Sequence, residues 1–256
     1  MVALLALLTA CAPKLKVPEM TGPPLTNFTG AYEEATAGCT RVRSVTAELG
    51  LSGRAGRTRI RGRALVGLVA PDAVRIEGIA PFGPPAFILV STQENATLLL
   101  PRDNRVLRHG RPDEIVEALA GVRIDPAGLI AAISGCGLPP ADPSGSRTAG
   151  NDWASVTTAS GEVAMRREGG RWRVRSASRG GLTIRYDELG PTFPARVTLI
   201  VPGQGSDVVA EVAMRVSQLE TNVDLGPEAF AVEIPADADP LTLAELREAG
   251  PLGEKR

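Results

Sequence analysis

Between residues 57 and 68 polar and apolar side chains alternate with a period of two. Arg57, Arg59, Arg61 and Arg63 fall on one face and Thr58, Ile60, Ala64, Val66 and Leu68 on the other, as in a strand with one wet and one buried side. The scheme returns at 73–79, where Val74 and Ile76 oppose Arg75 and Glu77, and short apolar strands follow at 86–91 and 96–100 across a polar turn. Upstream, the spacing of Phe28, Tyr32, Ala35 and Cys39 predicts a helix from residue 28 to about residue 44. After Val106 the period lengthens. Ile115, Val116 and Leu119 predict a short amphipathic helix over 113–120, and Leu129, Ile130 and Ile133 a second over 126–133, opened by Asp125 as N-cap and Pro126 as first helical residue.

Residues 137–151, rich in Pro, Gly and Ser, read as a mobile loop. Alternation then resumes and predicts strands at 152–158, 161–168, 171–178, 182–188, 195–201 and 207–219, joined by glycine-containing turns short enough to make neighbours antiparallel. The count is about eleven strands, and with no βαβ repeat a parallel sheet is disfavoured. The expected fold is therefore mainly β with α: one strongly curved antiparallel sheet forming an incomplete β-barrel, with an N-terminal helix and two short lid helices on its concave side. That side is predicted to carry an apolar cavity lined by Ile60, Val66, Leu68, Val74, Ile76, Leu119, Leu129, Ile133, Leu182, Ile184, Val197, Leu199, Val212 and Met214. Beyond Pro235 an acidic tail, 236–256, carries a capping box of Thr242 and Glu245 before a short helix.

Composition narrows what such a cavity is for. Hydrophobic residues are 43% and charged residues 22%, ordinary for a globular chain of 256 residues. The net charge of −1 supplies no global attraction for nucleic acid. Aromatics are only 4%, so an apolar surface is aliphatic, and each methylene of a bound alkyl chain buried against it is worth about 0.8 kcal/mol. The competing reading is that the two lid helices fill the space as an ordinary core.

The first ten residues are an apolar run that ends in small residues before Cys11. They read as the end of an export leader with Cys11 as the site of lipid attachment. The run lacks the basic segment of a complete leader, so the true start is expected upstream. Residues 11–27, with Pro13, Pro18, Pro23 and Pro24, make a polar tether, and 28–235 the folded domain. Cys39 and Cys136 then remain, either as one disulfide or as two buried thiols. No Gly-x-Ser-x-Gly elbow, phosphate loop or Cys-x-x-Cys pair occurs, and the single histidine, His109, has no ligand-spaced partners, so no enzyme, cofactor or metal is expected. The arginine rows, 57–63 and Arg171, Arg173 and Arg175, are read as solvating the outer face of the sheet, with lipid headgroups as the rival partner.

Residues 72–139 resemble the outer-membrane lipoprotein receptor family LolB and, more loosely, its LolA-like carrier relatives. The resemblance rests on Arg75-Ile76-Glu77 leading into Ala80-Pro81-Phe82-Gly83, the strands to Leu100, the helix 113–120, Gly121-Val122-Arg123-Ile124 and the helix ending at Gly135, with a weaker echo from Leu219 to Pro235. It implies a lipoprotein at the outer membrane, facing the periplasm, that holds acyl chains of lipoproteins or lipids, meets a periplasmic carrier protein and delivers to the inner leaflet. It also implies a membrane-insertion loop at Pro81, Phe82 and Gly83, the alternative being that Phe82 tucks under a neighbouring strand. A monomer without nucleic-acid partners is expected. The chain departs from the receptor pattern in 137–151 and in its tail, which leaves open a structural or regulatory lipoprotein that reuses the fold as sensor or scaffold.

Overall fold

The computed structural model describes residues 15–205 and 207–250; Cys11 and the leader lie outside them. One sheet of fourteen strands runs through the described residues without closing on itself. Its middle is built from β1 (Ser44–Ala55), β2 (Thr58–Val69) and β3 (Ala73–Ile79). On one side follow β4 (Phe87–Thr92), β5 (Asn95–Leu100) and β6 (Arg105–Gly110), with the two-residue β14 (Asp239–Pro240) at the edge. On the other side of β1 the order is β13 (Val208–Thr221), β12 (Pro194–Pro202), β11 (Leu182–Leu189), β10 (Arg171–Arg179), β9 (Gly161–Glu168), β8 (Trp153–Thr158) and β7 (Pro143–Ala149). The curved, open sheet is the incomplete barrel that alternation predicts, with more strands than the expected eleven.

The additional strands have physical reasons. The first helix, α1 (Phe28–Thr36), is capped by the Asn27 side chain and ends well before residue 44. A single 3₁₀ turn over Cys39–Arg41 then turns the chain into β1, where Val45, Ala47 and Leu49 point into the core and the register runs unbroken along β2 from Ser44 to Ala55. The 137–151 segment is not a free loop. Its second half is β7, an outer strand with Pro143 at its start and no fully buried residue, a position where proline costs no ladder hydrogen bond and apolar alternation is not needed. Pairing is antiparallel throughout except at β14, which lies parallel to β6.

Helices line the inner face. α1 packs on β10 and β7, α2 (Pro112–Ala120) on β5, and α3 (Pro126–Ser134) reaches both β2 and β12. α4 (Leu243–Ala249) packs on the outer side of α2. Two apolar clusters result. The larger joins α1, α3 and the strands from β8 to β13 with β1, β2 and Val74 of β3, and the smaller joins β4–β6 to α2 and α4 through Leu98, Ile115, Leu119, Leu241 and Leu246.

Candidate functional site

The two clusters meet at a seam, and there packing is incomplete. A cavity of about 110 Å³ lies between the inner faces of β1–β4, β12 and β13 and the α2–α3 segment. Every side chain on its wall is aliphatic, a methionine or a phenylalanine. α2 supplies Val116, Leu119 and Ala120, the link to α3 supplies Val122 and Ile124, and α3 supplies Leu129. Of the expected lining residues, Ile60, Val66, Ile76, Leu119, Leu129, Leu199, Val212 and Met214 stand on this wall. Leu68, Val74, Ile133, Ile184 and Val197 do not: they are buried in the packed core away from it. Leu182, half-buried, packs against that core. All these side chains point inward, and the landing points of the helices decide which of them face a void.

Sequence reasoning missed Leu49 and Leu51 on β1, Phe87 and Leu89 on β4, and Val122 with Ile124. The alternation of Val45, Ala47, Leu49 and Leu51 was the available signal for the first pair. Phe87 has a local cause. Its ring lies against Gly78 of the facing strand, where any β-carbon would collide with it.

The two lid helices are held differently. At the end of α3 the fully buried Tyr186 phenol accepts a 2.7 Å hydrogen bond from Gly137 N–H and donates to the Ala132 carbonyl at 2.9 Å. Burial pushes the phenol's pKa well above its usual range, so it stays a neutral donor. One residue beyond the αL cap Gly135, Cys136 is joined in a disulfide to Cys39, with Cα atoms 5.6 Å apart and a separation of 97 positions in sequence. α3 is thereby bolted to the segment that follows α1.

No covalent or buried hydrogen-bonded anchor of that kind holds α2 among the described residues. Gly121, at φ +71°, ends the helix with its α-carbon so close to Ala55 that a β-carbon would not fit. Asp113, in the first turn, receives the Arg123 side chain at 2.9 Å and Arg111 at 3.3 Å. Burial raises this carboxyl, but the hydrogen bonds from Arg123 and Arg111 outweigh it and hold it below the usual carboxylate range. These contacts tie α2 to its own flanks rather than to the sheet. What covers its outer face is α4, with Leu246 buried against it, and α4 is fixed by the Thr242–Glu245 capping box and by Arg105 to Glu245 at 2.8 Å.

Phe82 stands in the β3–β4 loop, 88% exposed. Arg102 donates to the carbonyls of Phe82 and Pro84, which holds the loop in shape with the ring in solvent. His109 is exposed, near Asn95, and among the described residues no group of three or more His, Cys, Asp or Glu converges as metal ligands do.

No protein-family model matches the chain, and no curated protein matches it in sequence. Solved structures do match. A LolA superfamily protein from Nitrosomonas europaea superposes with a TM-score of 0.52 at 12% identity, over 79% of this chain and 98% of that one. A domain of outer membrane lipoprotein-sorting type from Vibrio parahaemolyticus gives 0.48 at 11% identity, over 80% and 97%. A DUF1329 family protein from Desulfovibrio piger gives 0.47 at 11%, over 79% and 96%. The first of these carries the assignment: the chain has the LolA-like fold.

Proposed function

We propose that this chain, with its LolA-like fold, is a lipid-anchored protein of the cell envelope that takes acyl chains of lipoproteins or lipids between its sheet and α2. The observation that carries the reading is the cavity wall, built without one polar side chain from both apolar clusters at their junction. At about 110 Å³ the space is below the ~300 Å³ at which ligand pockets begin. Admission of an alkyl chain therefore requires α2 to swing outward, the direction in which α4 opposes it. Exchanging α2's own contacts for those of a ligand alkyl chain keeps the wall covered in both states.

In the same reading Cys11 carries the lipid anchor, Phe82 enters the inner leaflet of the outer membrane, and a periplasmic carrier protein supplies the cargo. The chain acts as a binding protein and not as an enzyme. A regulatory or scaffolding role with a sealed lid is favoured by one fact alone, the small size of the void in the closed form.

Titration with a dansyl-labelled fatty acid separates the two. The acyl-binding reading expects saturable binding at one site and its loss in Val116→Phe, which fills the void from α2 at a folding cost of about 1–3 kcal/mol. Absence of binding in the unaltered chain, or binding indifferent to Val116→Phe, counts for the sealed scaffold.

A further inference from the structure

Between Glu48 and Asp72 the chain has no acidic residue but five arginines: Arg54, Arg57, Arg59, Arg61 and Arg63. All five are exposed at or near the β1–β2 hairpin. Elsewhere on the outer face many arginines are neutralised: Arg185 pairs with Asp187 at 2.7 Å, Arg196 and Arg215 share Glu188 at 3.2 and 3.5 Å, and Arg166 and Arg175 share Glu168 at 3.8 and 3.5 Å, whereas Arg171 and Arg173 have no ion pair among the described residues. In the hairpin Arg63 alone has a carboxylate, Glu48 at 3.2 Å. Arg54, Arg57, Arg59 and Arg61 have no ion pair among the described residues. Arg54 and Arg59 are moreover directly opposed across the two strands, an arrangement that costs stability through like-charge repulsion. On the other side of β1, Arg54 stands opposite Glu211 of β13, a carboxylate that Arg185 engages at 3.7 Å.

Solvation alone does not account for a repulsive cluster flanked by exposed apolar groups. The Phe82 loop borders it, since Ile79 and Pro81 share with Arg61 and Arg63 a trough of about 510 Å³ floored by Gly50, Ser52, Gly62 and Ala213. On the other side Val209, half-exposed, accepts a backbone hydrogen bond from Gly56 in the hairpin turn. Unpaired guanidinium groups over a floor of small residues, with an aromatic ring beside them, match a layer of phosphates above hydrocarbon.

We infer that the β1–β2 hairpin face is a docking surface for an anionic phospholipid membrane, Arg54, Arg57, Arg59 and Arg61 meeting headgroup phosphates while Phe82 enters the acyl region. The inference rests on Phe82 as the membrane-facing side chain and is independent of what fills the cavity.

The test is co-sedimentation of the full chain carrying Cys11→Ser, so that no anchor contributes. The vesicles are phosphatidylcholine alone or phosphatidylcholine with an equal part of phosphatidylglycerol. Binding is expected to the anionic vesicles and to weaken with salt. Arg57→Gln with Arg61→Gln lowers that affinity on the order of tenfold or more, at roughly fivefold per charge. The two lysine replacements retain most of it, and the equally exposed pair Arg171→Gln with Arg179→Gln leaves it unchanged. Phe82→Ser lowers residual binding to both vesicle types. An effect of Phe82→Ser without one of the arginine pair overturns the headgroup surface and leaves the insertion loop standing; the reverse overturns the role of Phe82 only. Equal losses from the hairpin and control pairs show nonspecific charge and overturn the proposal. Vesicle binding needs nothing in the cavity, so neither result bears on acyl uptake.

Discussion

α3 and α2 have the same length and both begin with proline, yet one is part of the core and the other is a cover. α3 is apolar all round, with its residues from Leu129 to Ser134 buried, and is fastened by Tyr186 and by the disulfide next to its cap. α2 is amphipathic. It buries Ile115, Ala118 and Leu119, keeps Glu114 and Glu117 partly in solvent, and is pressed onto the sheet by a short C-terminal helix. The void lies on α2's side of the seam. In the proposed reading one curved sheet holds both a rigid floor and a movable lid: bonds that survive loss of apolar contact belong to the first, and apolar contact that a ligand would replace belongs to the second.

Paired truncations sharpen this difference most. Ile133→Ala, in the packed region, is expected to cost about 4 kcal/mol and Leu119→Ala, beside the existing void, about 2, because a residue with fewer neighbours loses less on removal; urea melts of the two variants give the values. Equal costs mean that the two helices are held alike.

Removal of the disulfide by Cys39→Ser with Cys136→Ser is expected to cost about 3 kcal/mol, as for a long closed loop. The same variant distinguishes the helices, since hydrogen exchange is expected to rise in α3 and to stay the same in α2.

The smallest effect concerns the cover. The Thr242 backbone and hydroxyl and Arg105 hold the Glu245 carboxylate at a pKa of about 2, against 4.5 when free. A lowered folded-state pKa means that the stabilisation is complete above about pH 4.5 and is lost as pH falls toward about 2. Exchange protection of α4 is therefore expected to fall over that window, with Glu245→Gln lacking the dependence. Protection of α3 from the same acid step is expected throughout.

Much of this architecture was legible in the sequence, for an identifiable reason. From Trp153 to Thr221 one face of each strand carries the apolar core residues, so period-two alternation of apolar positions marks it directly, although Ser155, Ser176 and Thr198 of the other face are buried as well. β7 fails that test because an outer strand with a polar stretch such as Ser144 to Thr148 is held by its ladder to β8 and not by apolar burial. β14 is two residues long and has no pattern to read. The cavity was half legible. Alternation separates Ile60 from Arg61, but Leu68 and Ile60 share a face, and what sets them apart is that the seam of the two clusters opens near one end of β2. The concentration of unpaired arginines in the hairpin was hidden for a related reason: the run itself is plain, whereas the pairing of Arg185, Arg196 and Arg215 elsewhere on that face depends on strand order.

The most direct test of the account is native mass spectrometry of the full chain released gently from membranes. It predicts a bound lipid or acylated peptide that leaves on mild activation and is missing from Val116→Phe. A chain that emerges free of lipid, and remains so after incubation with fatty acid, contradicts the movable lid.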